Sequence, residues 1–192
     1  MKKLILTVAT FAAFTMSAAA RAELVTNGGF ETGNFSGWAQ SGNTGFSGVS
    51  SGGGHTGDYY AFFGPVGSNG FLTQTLSTIA GGLYQLSYWL QVTDDNQSPS
   101  NSFSTTVGNN VLFSNVNLSV QNFTQYTYNF VAASNQTTLQ FAFRNDPAYF
   151  NLDDVSVNER ANVPEPATTA LLGLGLFGLV ASRRSAAKNK NA

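Results

Sequence analysis

Leu83 to Val92 alternates without a break. Tyr84, Leu86, Tyr88, Leu90 and Val92 fall on one side of an extended chain, and Gln85, Ser87, Trp89 and Gln91 on the other. Successive side chains of a strand point to opposite faces, so this period of two marks a strand with one face in a core. A helix would scatter both sets around its axis. Phe123 to Ala132 repeats the pattern, with Tyr126, Tyr128 and Phe130 on one face, and Leu139, Phe141 and Phe143 give a third case. Shorter stretches of the same kind run over 59–63, 71–76, 102–107 and 111–113. Between them lie Gly, Asn and Ser. Gly81-Gly82 and Asn109-Asn110 are expected at turns with positive φ. No helical period of useful length and no internal repeat occurs from Glu23 to Asn158. About nine to eleven strands in roughly 135 residues predict an all-β fold, an antiparallel jelly-roll β-sandwich over 23–160.

The charge of this region narrows its partners. Charged residues are 10% of the chain, against roughly 25% in an ordinary soluble domain. From Glu23 to Arg160 there are nine acids, two arginines and no lysine, a net charge of −7. Such a domain is repelled by phosphate backbones, which argues against nucleic acid as a partner. With no cysteine in the chain, disulfides, thiolate metal sites and a cysteine nucleophile are excluded.

Both ends read as signals. Lys2 and Lys3, the apolar run Leu4 to Met16 and the Ala20-Arg21-Ala22 cleavage pattern make 1–22 a secretory signal peptide, with the mature chain starting at Glu23. A cut after Ala20 is the alternative. At the other end a linker over 161–166 carries Val163-Pro164-Glu165-Pro166, and 167–182 holds no charge. As a helix that segment is about 24 Å long, a short single transmembrane span that needs some bilayer thinning. Arg183, Arg184, Lys188 and Lys190 make 183–192 a basic tail, cytoplasmic by the positive-inside rule. Gly173 to Gly178 matches G-x-G-x-x-G, but it follows no strand and lies inside the apolar segment, so its glycines suit helix packing and not a dinucleotide.

Val163 to about Arg184 resembles the PEP-CTERM sorting signal of Gram-negative bacteria: the Pro-Glu-Pro triplet, a Gly/Leu-rich helix and a basic stop, in that order. The resemblance implies recognition by exosortase, with cleavage near Pro164-Glu165-Pro166. It also implies tethering at the inner membrane during sorting, delivery to the cell surface or extracellular matrix, and an association with exopolysaccharide or biofilm.

Two motifs bracket the sandwich, Asn27-Gly28-Gly29-Phe30-Glu31 and Leu152-Asp153-Asp154-Val155-Ser156-Val157. If Val155 and Val157 face the core, so does Asp153. If Leu152 faces it, the phase slips at the Asp pair, as in a bulge. Either way a carboxylate lies at or near core phase and needs a partner. Arg144 is one candidate and Ca²⁺, which takes several hard oxygens, is another. The two motifs resemble the ends of the galactose-binding-like sandwiches of carbohydrate-binding modules. That resemblance implies that they lie close together and hold one structural Ca²⁺. The implied ligands are Glu31, Asp153 and main-chain oxygens around Asn27 to Gly29.

Chemistry is sparse. His55 is the sole histidine, in a glycine-rich stretch, and no serine has a nucleophile-elbow context. Asp58, Asp94, Asp95 and Asp146 lack a motif that would pair them across a cleft. Binding fits better. Trp89, on the polar face of its strand beside Gln85 and Gln91, is a stacking platform for a sugar ring, assisted by Tyr59 or Tyr60, unless that face is itself covered. Trp38 is expected in the core. The reading is a non-enzymatic envelope or matrix protein with a carbohydrate-binding role. The alternatives are a structural surface protein without a ligand and a glycan-active enzyme.

Overall fold

The computed structural model describes residues 22–93 and 101–160. The predicted signal peptide (except Ala22), the linker, transmembrane helix and basic tail, and Asp94 and Asp95, lie outside the described residues. Ten strands follow in order: β1 Ala39–Gly42, β2 Ser47–Ser51, β3 Tyr59–Phe63, β4 Gly70–Ser77, β5 Leu83–Val92, β6 Asn101–Val107, β7 Asn110–Val116, β8 Gln121–Val131, β9 Gln136–Asn145 and β10 Phe150–Glu159. They form two five-stranded sheets, β1-β4-β9-β6-β7 and β2-β3-β10-β5-β8. Every pairing is antiparallel. The all-β jelly-roll sandwich expected from the alternation is the fold observed.

The phase of β5 is the one read from its sequence: Tyr84, Leu86, Tyr88, Leu90 and Val92 are buried and the intervening residues half-buried. Aromatic rings fill the space between the sheets. Phe63 of β3 stacks on Phe143 of β9 at 3.9 Å, and Tyr88 meets Phe141 edge-on at 5.2 Å. Each such ring contributes about 1.5–3 kcal/mol by leaving water. The Tyr88 hydroxyl accepts a hydrogen bond from Thr105 Oγ1 at 2.9 Å, and burial drives its pKa far above the ordinary range. Trp38 is core, as expected. It stacks on Phe30 and its indole N–H donates to the Asn27 carbonyl at 3.1 Å.

Two expectations need correction. β1 and β2 carry no alternating apolar pattern and were not anticipated; their pairing with β4 and β3 makes them strands. The turn placed at Asn109-Asn110 is Gly108-Asn109, with φ +57 at Gly108, while Asn110 already opens β7. Glycine takes that conformation without the steric penalty of a Cβ. At the other predicted turn, Gly81 has φ +80.

Candidate functional site

The outer face of the β2-β3-β10-β5-β8 sheet carries the chemistry. Its organising feature is a β-bulge in β10. The register with β5 runs Asn151↔Gln91, Leu152↔Leu90 and Asp153↔Trp89, then slips before Ser156↔Ser87. Leu152 therefore faces the core and the phase slips at the Asp pair. Asp154 takes φ +47 at the slip, a conformation that costs a non-glycine residue about 1–2 kcal/mol. Asp153 points out of the sandwich on the Trp89 side, yet it is fully buried, because the loop before β3 folds over it.

That loop is held by carboxylates. Asp153 Oδ2 accepts the backbone N–H groups of His55 (2.7 Å) and Thr56 (3.3 Å), and Oδ1 accepts Asp154 N–H at 2.7 Å. Asp154 pairs with His55 Nδ1 at 2.6 Å and accepts Thr56 Oγ1 at 2.6 Å. Glu31 accepts Asp58 N–H and Tyr59 N–H at 3.1 Å each. Burial is the main reason that the Asp153 carboxyl is pushed up from 3.8 to about 6; the three N–H donors oppose it and the neighbouring Asp154 charge adds to it. Arg144, one sequence candidate for its partner, is engaged elsewhere, pairing with Asp146 at 2.7 Å.

The N-terminal motif docks on the same bulge. Val155 N–H donates to the Gly28 carbonyl at 3.0 Å. A Cβ at position 28 would lie 1.9 Å from the Val155 oxygen, so only glycine allows this approach. Gly29 then sits beside three acids: a Cβ there would be 3.6 Å from Asp154 Oδ1, 3.7 Å from Glu31 Cγ and 3.8 Å from Asp153 Oδ1. The Asn27 side chain ties its own loop to the Asn34 and Ser36 carbonyls, while its main-chain oxygen accepts Phe30 N–H and Trp38 Nε1–H. Among the described residues, no group of three or more His, Asp or Glu side chains is arranged to hold a metal by itself. A cation beside Gly29 would need main-chain oxygens to complete its shell. The donors there are hard oxygens around a buried carboxylate that, among the described residues, no Lys or Arg neutralises, and they fit Ca²⁺ in chemistry.

The residues expected to contact sugar separate. Gln85, Trp89 and Gln91 share the outward row of β5. His55 lies flat on the Trp89 ring at 3.6 Å and 14°, with Phe123 edge-on to His55 at 5.9 Å. One face of the expected platform is therefore occupied by a side chain. Gln85 bonds Asn129, and Gln91 Oε1 accepts Asn151 Nδ2 at 2.7 Å. Tyr59 shares the phase of the buried Ala61 and Phe63 and packs near Gly33. Tyr60 and Phe62 have the opposite phase and face outward.

Beside the Trp89 stack a groove of about 370 Å³ is lined by Ser50, Tyr60, Phe62, Thr93, Tyr149 and Asn151. Phe62 and Tyr149 meet edge to face at 5.7 Å. The Phe62 ring lies over Gly48, where a Cβ would be 2.8 Å from it. No charged residue lines the groove. It presents aromatic faces, three kinds of neutral hydrogen-bonding group and open access from solvent. The aromatic residues Tyr60 and Phe62 in the outward phase of β3 were the one sequence signal for it.

Residues 162–185 match the PEP-CTERM protein-sorting motif. The chain thus carries this sorting motif directly after the sandwich. No curated protein matches it in sequence. Among solved structures, the sandwich is similar to a carbohydrate-binding module, TmCBM61, in complex with β-1,4-galactotriose (TM-score 0.57, 18% identity, 72% of this chain and 99% of the module). It is similar to the CBM22-1 xylan-binding domain from Paenibacillus barcinonensis Xyn10C (TM-score 0.57, 14% identity, 74% and 97%). A third similar structure is the K3 cleaved adhesin domain of Lys-gingipain from Porphyromonas gingivalis (TM-score 0.53, 19% identity, 71% and 99%). At these identities the likeness is one of fold: a carbohydrate-binding-module-like β-sandwich.

Proposed function

We propose that this chain is an exported, non-enzymatic carbohydrate-binding protein of the cell envelope or matrix, and that its sugar site is the groove of Tyr60, Phe62 and Tyr149. The groove carries the reading. Flat aromatic faces pack against the apolar faces of sugar rings, and Ser50 offers a hydroxyl partner to ring hydroxyls; the Thr93 hydroxyl and the Asn151 amide also hold Tyr149 and Gln91. The lining holds no carboxylate or histidine that could serve as an acid–base pair, so the groove is suited to binding and not to turnover. Two of the similar structures are a galactotriose complex and a xylan-binding domain, which supports a polysaccharide as the partner. The sorting motif supports exosortase as the processing partner. Export through the signal peptide, a membrane tether before processing and a final place in the surface or matrix of a Gram-negative cell complete the reading. A structural Ca²⁺ held by Glu31, Asp153 and main-chain oxygens of Asn27 to Gly29 belongs to it as well; the ion would neutralise the buried acid beneath the loop.

Affinity electrophoresis against galactan, xylan and the host's own exopolysaccharide tests the site. Tyr149→Ala, at a residue 37% exposed, is expected to weaken binding about tenfold or more, since about 1.4 kcal/mol corresponds to a factor of ten, with a modest fall in melting temperature from the lost Phe62 contact and the fold retained. Undiminished binding by this variant and by Tyr60→Ala would remove the groove from the reading. No binding to any glycan would leave the purely structural alternative.

A further inference from the structure

A second cavity lies at the opposite end of the sandwich from the groove. The groove surrounds the start of β10, where Phe150 pairs with Phe63 and Val92. β10 ends with Glu159 paired to Tyr84, about 30 Å away at roughly 3.3 Å per residue. Next to Tyr84, Leu83 pairs with Val131. There the β6–β7 turn and the β8–β9 connection enclose a pocket of about 380 Å³, as large as the groove. Val107, Val131 and Ala133 give it an apolar wall, and Asn109, Asn110, Gln136 and Thr138 give it amides and a hydroxyl. None of its lining residues is charged.

The walls are held in place by groups that leave these four side chains free. Gly108 N–H donates to the Thr138 carbonyl at 2.8 Å, and Thr78 N–H to the Asn135 carbonyl at 3.0 Å. Thr78 Oγ1 donates to the Ser134 carbonyl at 2.7 Å and accepts Thr137 Oγ1 at 2.8 Å. Ser134 Oγ donates to the Gln136 carbonyl, and Asn135 Oδ1 accepts Ala80 N–H at 3.1 Å. The side chains of Thr78, Ser134, Asn135 and Thr137 are thus engaged in the scaffold. Among the described residues, those of Asn109, Asn110, Gln136 and Thr138 have no hydrogen-bond partner. Gly108, at φ +57, leaves the space open: a Cβ there would have only Thr137 Cγ2 near it, at 3.9 Å. Donors and acceptors on walls already fixed lose little freedom when a ligand arrives.

We propose that this pocket is a second carbohydrate site, which takes an uncharged sugar unit. The lining selects that class. Carboxamides and hydroxyls both donate and accept, as adjacent sugar hydroxyls do, and the apolar wall fits the C–H face of a ring. An anion would find no cation in the lining and a cation no carboxylate, while a hydrocarbon would leave the amides without partners. The choice rests on the premise it shares with the groove, a polysaccharide partner, but on a separate set of residues. Without an aromatic platform this is the weaker of the two sites. Sites at opposite ends of one domain let a single chain join two polysaccharide strands.

Amide NMR shifts of the full chain in detergent micelles read the two sites separately during titration with neutral oligosaccharides of galactan and xylan. Shifts are expected over 108–110 and 131–138 as well as over 60–62 and 149–151, with the first set saturating at higher concentration. Shifts at the groove alone would overturn the second site and leave the proposed function standing. Shifts at neither set would overturn both. In a chain carrying Tyr60→Ala and Tyr149→Ala, the shifts over 131–138 are expected to persist. Adding Asn110→Ala and Gln136→Ala, both at exposed positions, is expected to raise the dissociation constant read there about tenfold; an unchanged constant would overturn the pocket as the site.

Discussion

Asp153→Asn separates two roles that one buried carboxylate combines. As a cap, Asp153 accepts His55 and Thr56 on Oδ2 and Asp154 on Oδ1. Asparagine keeps one oxygen. Oriented to retain His55 and Thr56, it sets its amide NH₂ against the Asp154 N–H, a lost bond plus an opposed donor that together cost about 1–3 kcal/mol. Against this stands relief from ionising a buried acid. A pKa raised from 3.8 to about 6 corresponds to about 3 kcal/mol at neutral pH. In chelator, the two effects nearly cancel, and the variant is expected within about 2 kcal/mol of the wild type. With Ca²⁺ at about 100 times its dissociation constant, the wild type gains about 2.7 kcal/mol, a rise in Tm of roughly 5–11 °C for a domain of this size. Asp153→Asn is expected to lose most of that rise. Differential scanning calorimetry of both proteins, in excess EGTA and across a calcium titration, provides the comparison. A wild-type Tm indifferent to EGTA refutes the cation. An equal calcium-induced rise in both proteins refutes Asp153 as its ligand.

Two further outcomes follow from the same geometry. In EGTA, Asp153 binds its proton more tightly folded than unfolded, so between about pH 4 and 6 unfolding releases a proton and stability falls as pH rises, then levels off above the folded pKa. Urea denaturation of wild type relative to Asp153→Asn should show a relative loss of about 3 kcal/mol across that interval; a relative gain would contradict the assigned burial. Gly28→Ala drives a Cβ to 1.9 Å from the Val155 oxygen and is expected to destabilise the domain by about 2–3 kcal/mol through displacement of the N-terminal loop from the bulge, whereas the same change at Gly52, where φ is +81 and the space is open, should cost only about 1 kcal/mol.

The strands that carry the core were legible because half their residues are buried and half are not. β5 could be read residue by residue, and even the β10 bulge was visible as a conflict of phase around Asp153. β1 (Ala-Gln-Ser-Gly) and β2 (Ser-Gly-Val-Ser-Ser) were not legible, because neighbouring strands hold them in place and their own apolar faces do not. The site divides along the same line. Asp153 could be singled out from the phase of its own strand, whereas Glu31 and the glycines of the first motif were named only through the family resemblance. The groove could not be singled out: Ser50, Tyr60, Thr93 and Tyr149 come from separate elements that only the sheet order brings together. Nor could the stacking of His55 on Trp89, which depends on a loop folding back across two strands.

The position of β10 has a mechanical consequence. It is the central strand of its sheet, bonded to β3 on one side and to β5 on the other, and the sorting motif at 162–185 follows it in sequence. A pull from a membrane-held tail would act along the length of β10, loading its ladders together in shear. An edge strand pulled the same way would be held by one ladder in place of two. Glu23 strengthens the attachment, since its carboxylate holds Val157 N–H and Asn158 Nδ2, so the first residue of the expected mature chain clamps the strand that would bear such a load.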